Sequence, residues 1–171
     1  MLDRPIARIE NLRVEFETKS GTVVGVEDVS FSINSGETVA IVGESGSGKS
    51  VSSLSLMRLV EFGGGQIAGG KLIFDRKSGG EIDLANTDQS LMRTIRGNEI
   101  GMIFQEPMTA LNPVYTIGFQ IIETLRTHFE MGPKEARERA LELITMVEIP
   151  DPETSIDKYP HQLSGGQRQR A

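Results

Sequence analysis

Hydrophobic residues follow two rhythms along this chain. Leu12, Val14 and Phe16 alternate with Arg13, Glu15 and Glu17, and Val29, Phe31 and Ile33 alternate with Ser30, Ser32 and Asn34. A period of two sends one set of side chains to a core face and the other to water, which predicts two half-buried strands. Lys19-Ser20-Gly21 supplies a turn near them, and the connection is too short for a crossover helix, so the strands pair antiparallel. Asn34-Ser35-Gly36-Glu37 turns the chain into Val39-Ala40-Ile41-Val42, a continuous apolar run that reads as a strand buried on both faces. Residues 51–60, rich in Leu and free of Gly and Pro, predict a helix, and Gly63-Gly64-Gly65 ends it in a loop. Residues 71–75 read as a short strand and 76–80 as a turn. Asp88 is placed to cap a helix carrying Leu91, Met92 and Ile95 that stops near Gly97. Residues 100–104 read as a second short apolar strand ending at Gln105.

After about residue 110 the period lengthens to that of a helix. Residues 117–129 put Ile121, Ile122, Leu125 and Phe129 on one face; Gly132-Pro133 breaks that helix, and Pro133 suits the first turn of the next. Ala136, Ala140, Leu143, Ile144 and Val147 form the apolar face of this second helix, and Ile149-Pro150-Asp151-Pro152 ends it. The division is therefore an α/β core over 1–109, with an antiparallel β region, and a helical segment over 110–171.

Between the expected strand at 39–42 and the expected helix at 51–60 stands Gly43-Glu44-Ser45-Gly46-Ser47-Gly48-Lys49-Ser50. It matches the phosphate-loop pattern G-x-x-x-x-G-K-[ST] at every fixed position. Strand, glycine loop and helix turn main-chain N–H groups toward phosphate oxygens, and the helix N-terminus adds its positive dipole end. Gly43, Gly46 and Gly48 remove side chains that would block close approach. Lys49 would bridge the β- and γ-phosphates and the Ser50 hydroxyl would ligate Mg²⁺. The nucleotide-binding candidates are thus Gly43, Glu44, Ser45, Gly46, Ser47, Gly48, Lys49, Ser50 and Val51, against the plain alternative of a Gly/Ser turn.

Composition narrows the setting. The chain has 171 residues, the size of about one domain, with 37% hydrophobic residues. It contains no Cys, which excludes disulfides and thiolate metal sites and suits a reducing compartment. Met1-Leu2-Asp3-Arg4-Pro5 opens without the apolar stretch of a secretory signal, and no apolar run approaches the roughly 18 residues of a membrane span. A net charge of −6 argues against nucleic acid as the main partner.

A second motif, Leu163-Ser164-Gly165-Gly166-Gln167, lies near the other end of the chain. Ser-Gly-Gly before Gln167-Arg168-Gln169-Arg170 has the form of a glycine-opened helix N-terminus with a hydroxyl at its mouth, a second anion site. At these residues the chain resembles the ATP-binding subunit of an ABC transporter, in which L-S-G-G-Q is the signature motif of the helical subdomain. The resemblance covers essentially all of the chain, and Val42 to Ser50 and Gln105 to Pro113 resemble the oligopeptide/dipeptide branch of the importers.

The resemblance implies a phosphate-loop NTPase fold of the ABC type, binding ATP and Mg²⁺. Gln105 matches the Q-loop glutamine, whose amide oxygen can join Ser50 as a Mg²⁺ ligand. The phosphate loop of one subunit would meet the signature of another, identical or related, in a head-to-tail dimer with ATP between them. Membrane permeases would dock on the Q-loop and helical subdomain, placing the protein peripherally on the cytoplasmic face. The family often stacks an aromatic residue on the adenine, but residues 18–20 hold none; Phe16 and Val23 or Val24 lie in the right region, Val24 as an aliphatic contact, and Phe16 also fits as a core residue. His161 reads as a loop residue, His128 has no partner in view, and Glu106 beside Pro107 makes a poor general base. The family's acidic Mg²⁺-orienting residue, catalytic glutamate and switch histidine would follow Ala171, ahead of which no apolar run ends in Asp-Glu. The 171 residues are therefore expected to bind nucleotide without useful hydrolysis and, with sheet edges and apolar surface uncovered, to self-associate. A soluble ABC-type ATPase uncoupled from transport is the competing expectation; a nucleotide kinase is disfavoured by the signature.

Overall fold

A computed structural model describes residues 4–104 and 110–171. The chain divides into two units, Met1–Ile100 and Gly101–Ala171.

The first unit is an antiparallel sheet with helices. Strands β1 (Ala7–Thr18), β2 (Gly21–Ile33), β3 (Gly65–Asp75) and β4 (Glu81–Asp83) lie in the order β2-β1-β3-β4. The hairpin from β1 to β2 turns at Lys19-Ser20, where Thr18 Oγ1 donates to Gly21 O at 2.6 Å. Along β1 the buried residues are Ala7, Ile9, Leu12 and Val14, so the alternation skips a step between Ile9 and Leu12. A bulge at Glu10–Asn11 absorbs that step. Asn11 takes a left-handed φ of 48°, its N–H donates to Ser30 Oγ (2.8 Å) and its Nδ2 to Asp28 Oδ1 (2.7 Å). Across from it, Gly70 has no room for a side chain: a Cβ there would lie 2.5 Å from the carbonyl oxygens of both Glu10 and Asn11. The outer face of β1 carries Arg8, paired with Glu10 and Glu81, and Arg13, paired with Glu15 and Glu27.

Helix α1 (Lys49–Leu56) is shorter than the apolar pattern suggests. Arg58 adopts a left-handed φ of 51°, and a 3-10 turn, Leu59–Gly63, replaces the last helical turn. The Arg58 guanidinium stabilises this break by donating to Glu61 Oε1 at 2.6 Å and to the Thr87 carbonyl. The loop expected at Gly63-Gly64-Gly65 is only a pivot, because β1 is long enough to pair Phe16 with Gly65 and so extends β3 back to that residue. Asp88 caps α2 (Gln89–Ile95) as expected, its Oδ1 accepting from Ser90 N (2.8 Å) and Leu91 N (3.0 Å). Leu12, Val14, Leu72, Leu84, Met92 and Ile95 form the centre of the core between sheet and helices. Behind α2, the nearly buried Glu99 accepts from Arg76 Nε (3.0 Å), Arg76 Nη2 (2.5 Å) and Lys77 N (3.0 Å). The Arg76 guanidinium holds its carboxyl below the usual carboxylate range.

Two expected strands are absent. Neither Val39-Ala40-Ile41-Val42 nor residues 101–104 belong to a ladder, and Ile100 forms only a single bridge with Arg96. Val42 is 89% exposed and Ile103 96%. An apolar run shows that a segment can be buried; it becomes a strand only where neighbours complete its hydrogen bonds on the edges, and among the described residues none does so here.

The second unit is helical: α3 (Ile117–His128), α4 (Pro133–Met146), α5 (Pro152–Ser155) and α6 (Gly165–Arg170), with a 3-10 turn over Pro160–Gln162. Thr116 caps α3 through Oγ1, which accepts from Phe119 N, and Pro133 stands in the first turn of α4 as the sequence predicts. Ile117, Leu125, Ala140, Ile144, Ile149, Ile156 and Leu163 form one core. Phe129 and Val147 do not join it. Both stand at helix C-caps, where the chain leaves the helix and their side chains leave its apolar face. After α4, Glu148 takes a left-handed φ of 56° and Ile149 turns back into the core. Among the described residues no helix is long and apolar enough to cross a membrane.

Candidate functional site

The glycine loop runs from residue 43 to 48 and opens directly into α1, with Gly48 as its N-cap. Gly46 and Gly48 take φ of 84° and 86°, the left-handed region that glycine occupies at no steric cost. The two differ in their surroundings. A Cβ on Gly46 would meet nothing within 4 Å, whereas one on Gly48 would lie 2.8 Å from Gly25 O and 3.0 Å from Val26 Cγ2 of β2. Gly43 is closed on one side, since its Cβ would come within 2.7 Å of Ser47 Oγ. Gly25 is thus a part of the site that the motif does not mark. Its signal in the sequence is a glycine inside a strand pattern, which often records close approach of another backbone.

Hydrogen bonding leaves the loop with unused donors. Ser47 N donates to Glu44 O at 3.2 Å, but among the described residues the amides of Gly46, Gly48, Lys49 and Ser50 have no protein acceptor. Lys49 Nζ lies over the loop and donates to Gly43 O (2.8 Å), Glu44 O (2.6 Å) and Ser47 Oγ (3.2 Å). The four serines of α1 also separate. Ser52, Ser53 and Ser55 return their hydroxyls to the carbonyls of Gly48 (3.0 Å), Lys49 (3.2 Å) and Val51 (2.7 Å). Among the described residues Ser50 makes no such bond, and its side chain is exposed beside the unused amides. Free amides, an adjacent ammonium and a free hydroxyl suit a magnesium-bearing polyphosphate: the amides and ammonium take oxygens, and the hydroxyl takes the cation. Val51, the third residue of α1, is half-buried against the core. Glu44 and Ser45 are exposed in the loop.

Phe16 packs against the first core and covers two glycines: a Cβ on Gly25 would fall 2.6 Å from its ring, and one on Gly65 2.8 Å. Val24, the other candidate for the base, is 41% exposed on β2. Gln105 lies outside the described residues, as do Glu106 to Thr109.

The signature residues form a turn into α6. Leu163 is buried in the helical core. Ser164 is the N-cap: its Oγ accepts from Gln167 N (3.3 Å), and Gln167 Oε1 accepts from Ser164 N (2.8 Å), a reciprocal capping box. Gly165 and Gly166 face open space, where an added Cβ would meet nothing within 4 Å. His161 stacks on Tyr159 with ring centroids 5.6 Å apart.

Sheet and helices together are those of an ABC ATPase cassette. The chain superposes on the dimeric structure of MJ0796, a bacterial ABC transporter cassette, with a TM-score of 0.77 at 28% identity, covering 96% of this chain and 66% of that one. It also superposes, with a TM-score of 0.76, on the dimeric post-hydrolysis state of the same cassette bound to ADP and Pi. The ABC transporter family matches residues 26–171, and the chain belongs to that family. Over 171 residues it is 56% identical to a Brucella abortus ATP-binding protein named for peptide import, covering 100% of this chain and 51% of that protein. It is 49% identical over 168 residues to the glutathione import ATP-binding protein GsiA of Pectobacterium atrosepticum, covering 98% of this chain and 27% of that protein. The chain therefore spans about half the length, or less, of these curated relatives.

Proposed function

We propose that this chain carries the nucleotide-holding part of an ATP-hydrolysing subunit that powers import of peptides through a membrane ABC transporter. The observation that carries the reading is the glycine loop itself: among the described residues the amides of Gly46, Gly48, Lys49 and Ser50 and the Ser50 hydroxyl at the start of α1 have no protein partner, and Lys49 lies over the loop. Gly43 to Val51 hold the phosphates, Lys49 exchanges loop carbonyls for phosphate oxygens, and Ser50 holds Mg²⁺ with Gln105. The bound cation would neutralise phosphate charge during transfer to water. Val24 supports the adenine by apolar contact, and Phe16 shares that role from its place against the core.

Leu163 to Gln167 serve the ATP of a second subunit, identical or related, in a head-to-tail dimer. The exposed Gly165 and Gly166 leave room for a nucleotide presented from outside, and the dimeric cassette that superposes on this chain supports the arrangement. Permease subunits are the remaining partners, and the protein works peripherally on the cytoplasmic face of the membrane. The import names of both relatives favour this reading over a soluble ATPase uncoupled from transport.

The test is a titration of Mg²⁺ with a non-hydrolysable ATP analogue into wild type and Lys49→Ala. Equal affinities would remove the phosphate-loop reading. Import is tested by growth of a strain lacking the full-length protein on peptides as sole amino-acid source, complemented by wild type or Lys49→Ala. Rescue by both would separate the protein from ATP-driven uptake.

A further inference from the structure

The signature turn can serve another subunit's nucleotide only if it is held in place, and the helical unit holds it from two sides. Upstream, the first turn of α3 is bonded to the segment that leads into the signature: Ile117 N donates to Lys158 O (2.9 Å) and Gly118 N to Ile156 O (2.7 Å). At Gly118 the two backbones touch. A Cβ there would lie 2.4 Å from Ile156 Cγ1 and 2.7 Å from Ile156 O. Ile156 is fully buried, and Leu163, the first residue of the signature, is buried in the same core. Alanine is the better helix former, so helix propensity argues against glycine at 118, and the close approach argues for it. Downstream, Arg170 Nη1 reaches from α6 to Glu148 O (2.8 Å) and Val147 O (3.3 Å), carbonyls that carry the chain out of α4.

We infer that Gly118 and Arg170 are positioning residues for the signature: the Gly118–Ile156 contact fixes where the turn starts, and Arg170 fixes the direction of the helix behind it. The inference rests on the reading of the signature given above. Alanine at 118 pushes the Ile156 carbonyl away from α3 and moves the turn with it. Loss of the Arg170 guanidinium frees α6 from the end of α4. Neither residue belongs to the unit that carries the phosphate loop, so nucleotide affinity there is unchanged, while steps that need the signature are slowed.

The experiment uses the full-length protein, measuring Mg-ATP affinity, kcat, KM and nucleotide-driven association for wild type, Gly118→Ala, Ile156→Val, Arg170→Ala and Arg170→Lys. Gly118→Ala and Arg170→Ala should lower kcat and association roughly tenfold or more, the order expected from sub-ångström to ångström misplacement, with nucleotide affinity, measured on dilute protein that does not associate, at the wild-type value. Ile156→Val trims the same core without pushing its backbone and should keep wild-type kcat; Arg170→Lys, which keeps one donor, should recover part of the loss. If Gly118→Ala fails to fold, the surface variant Arg170→Ala carries the test. The inference is overturned if the folded variants match wild type in kcat and association, or if Ile156→Val loses as much as Gly118→Ala. Wild type that binds nucleotide but neither turns over nor associates would overturn the signature's proposed role first, and this inference with it.

Discussion

Alanine substitutions at Gly46 and Gly48 separate two reasons for glycine in the loop. Both residues sit at nearly the same positive φ, 84° and 86°, so each alanine bears the left-handed penalty of about 1–2 kcal/mol. Only position 48 is crowded: its Cβ would fall 2.8 Å from the Gly25 carbonyl and 3.0 Å from Val26 Cγ2. Neither neighbour is the free end of a flexible side chain, and Val26 is buried. Such overpacking adds roughly 1–3 kcal/mol. Gly46→Ala should therefore cost about 1–2 kcal/mol and Gly48→Ala roughly 2–5 kcal/mol. The chain has no Trp, and its two tyrosines, Tyr115 and Tyr159, both lie in the helical unit, so intrinsic fluorescence would miss the event. Amide exchange of peptides from β1, β2 and β3, followed through a denaturant series, reads the right unit. The excess cost at 48 should appear there, accompanied by weaker nucleotide binding as the loop moves off β2. Equal costs at the two positions would refute the argument that backbone contact with Gly25 sets the loop.

Lys49→Ala removes a cation whose charge-assisted bonds are each worth about 1.5–3 kcal/mol, so nucleotide affinity by calorimetry should fall at least tenfold, with the melting of the helical unit unchanged. Glu99→Ala leaves the Arg76 guanidinium without its carboxylate in a nearly buried site and should destabilise the first unit by about 3 kcal/mol in chemical denaturation. The same pair sets a pH dependence. The Glu99 carboxyl titrates lower in the folded chain than in the unfolded one because Arg76 bonds it, so its contribution is complete above the ordinary glutamate value of about 4.3. It is lost as the pH falls below that toward the depressed folded value. Glu99→Gln should flatten this part of a stability-against-pH curve, and an unchanged acid limb would contradict the pairing. Leu163→Ala empties a buried place in the helical core and should cost about 2–4 kcal/mol in unfolding followed by tyrosine fluorescence.

Local order in the sequence was enough for much of this molecule. The alternation at Leu12, Val14 and Phe16, the Asp88 cap, Pro133 in the first turn of α4 and the apolar faces that carry Leu125 on α3 and Ile144 on α4 are each governed by residues within a turn or two, so they could be read directly. The two glycine motifs were legible for a related reason: each is a short run of residues whose order in the chain marks it, although contacts with distant residues hold it in place. Three things depended on residues far away in the chain. The run at 39–42 has the composition of a buried strand, but pairing is a property of its neighbours, and no described strand pairs with it. The bulge at Glu10–Asn11 resets the phase of β1 because Ser30, Asp28 and Gly70 meet it across two ladders. Gly25 under Gly48 and Gly118 against Ile156 are contacts between main chains distant in sequence. Periodicity records which side of an element is apolar; it carries no record of which backbone will lie within van der Waals reach, and only the folded chain settles that.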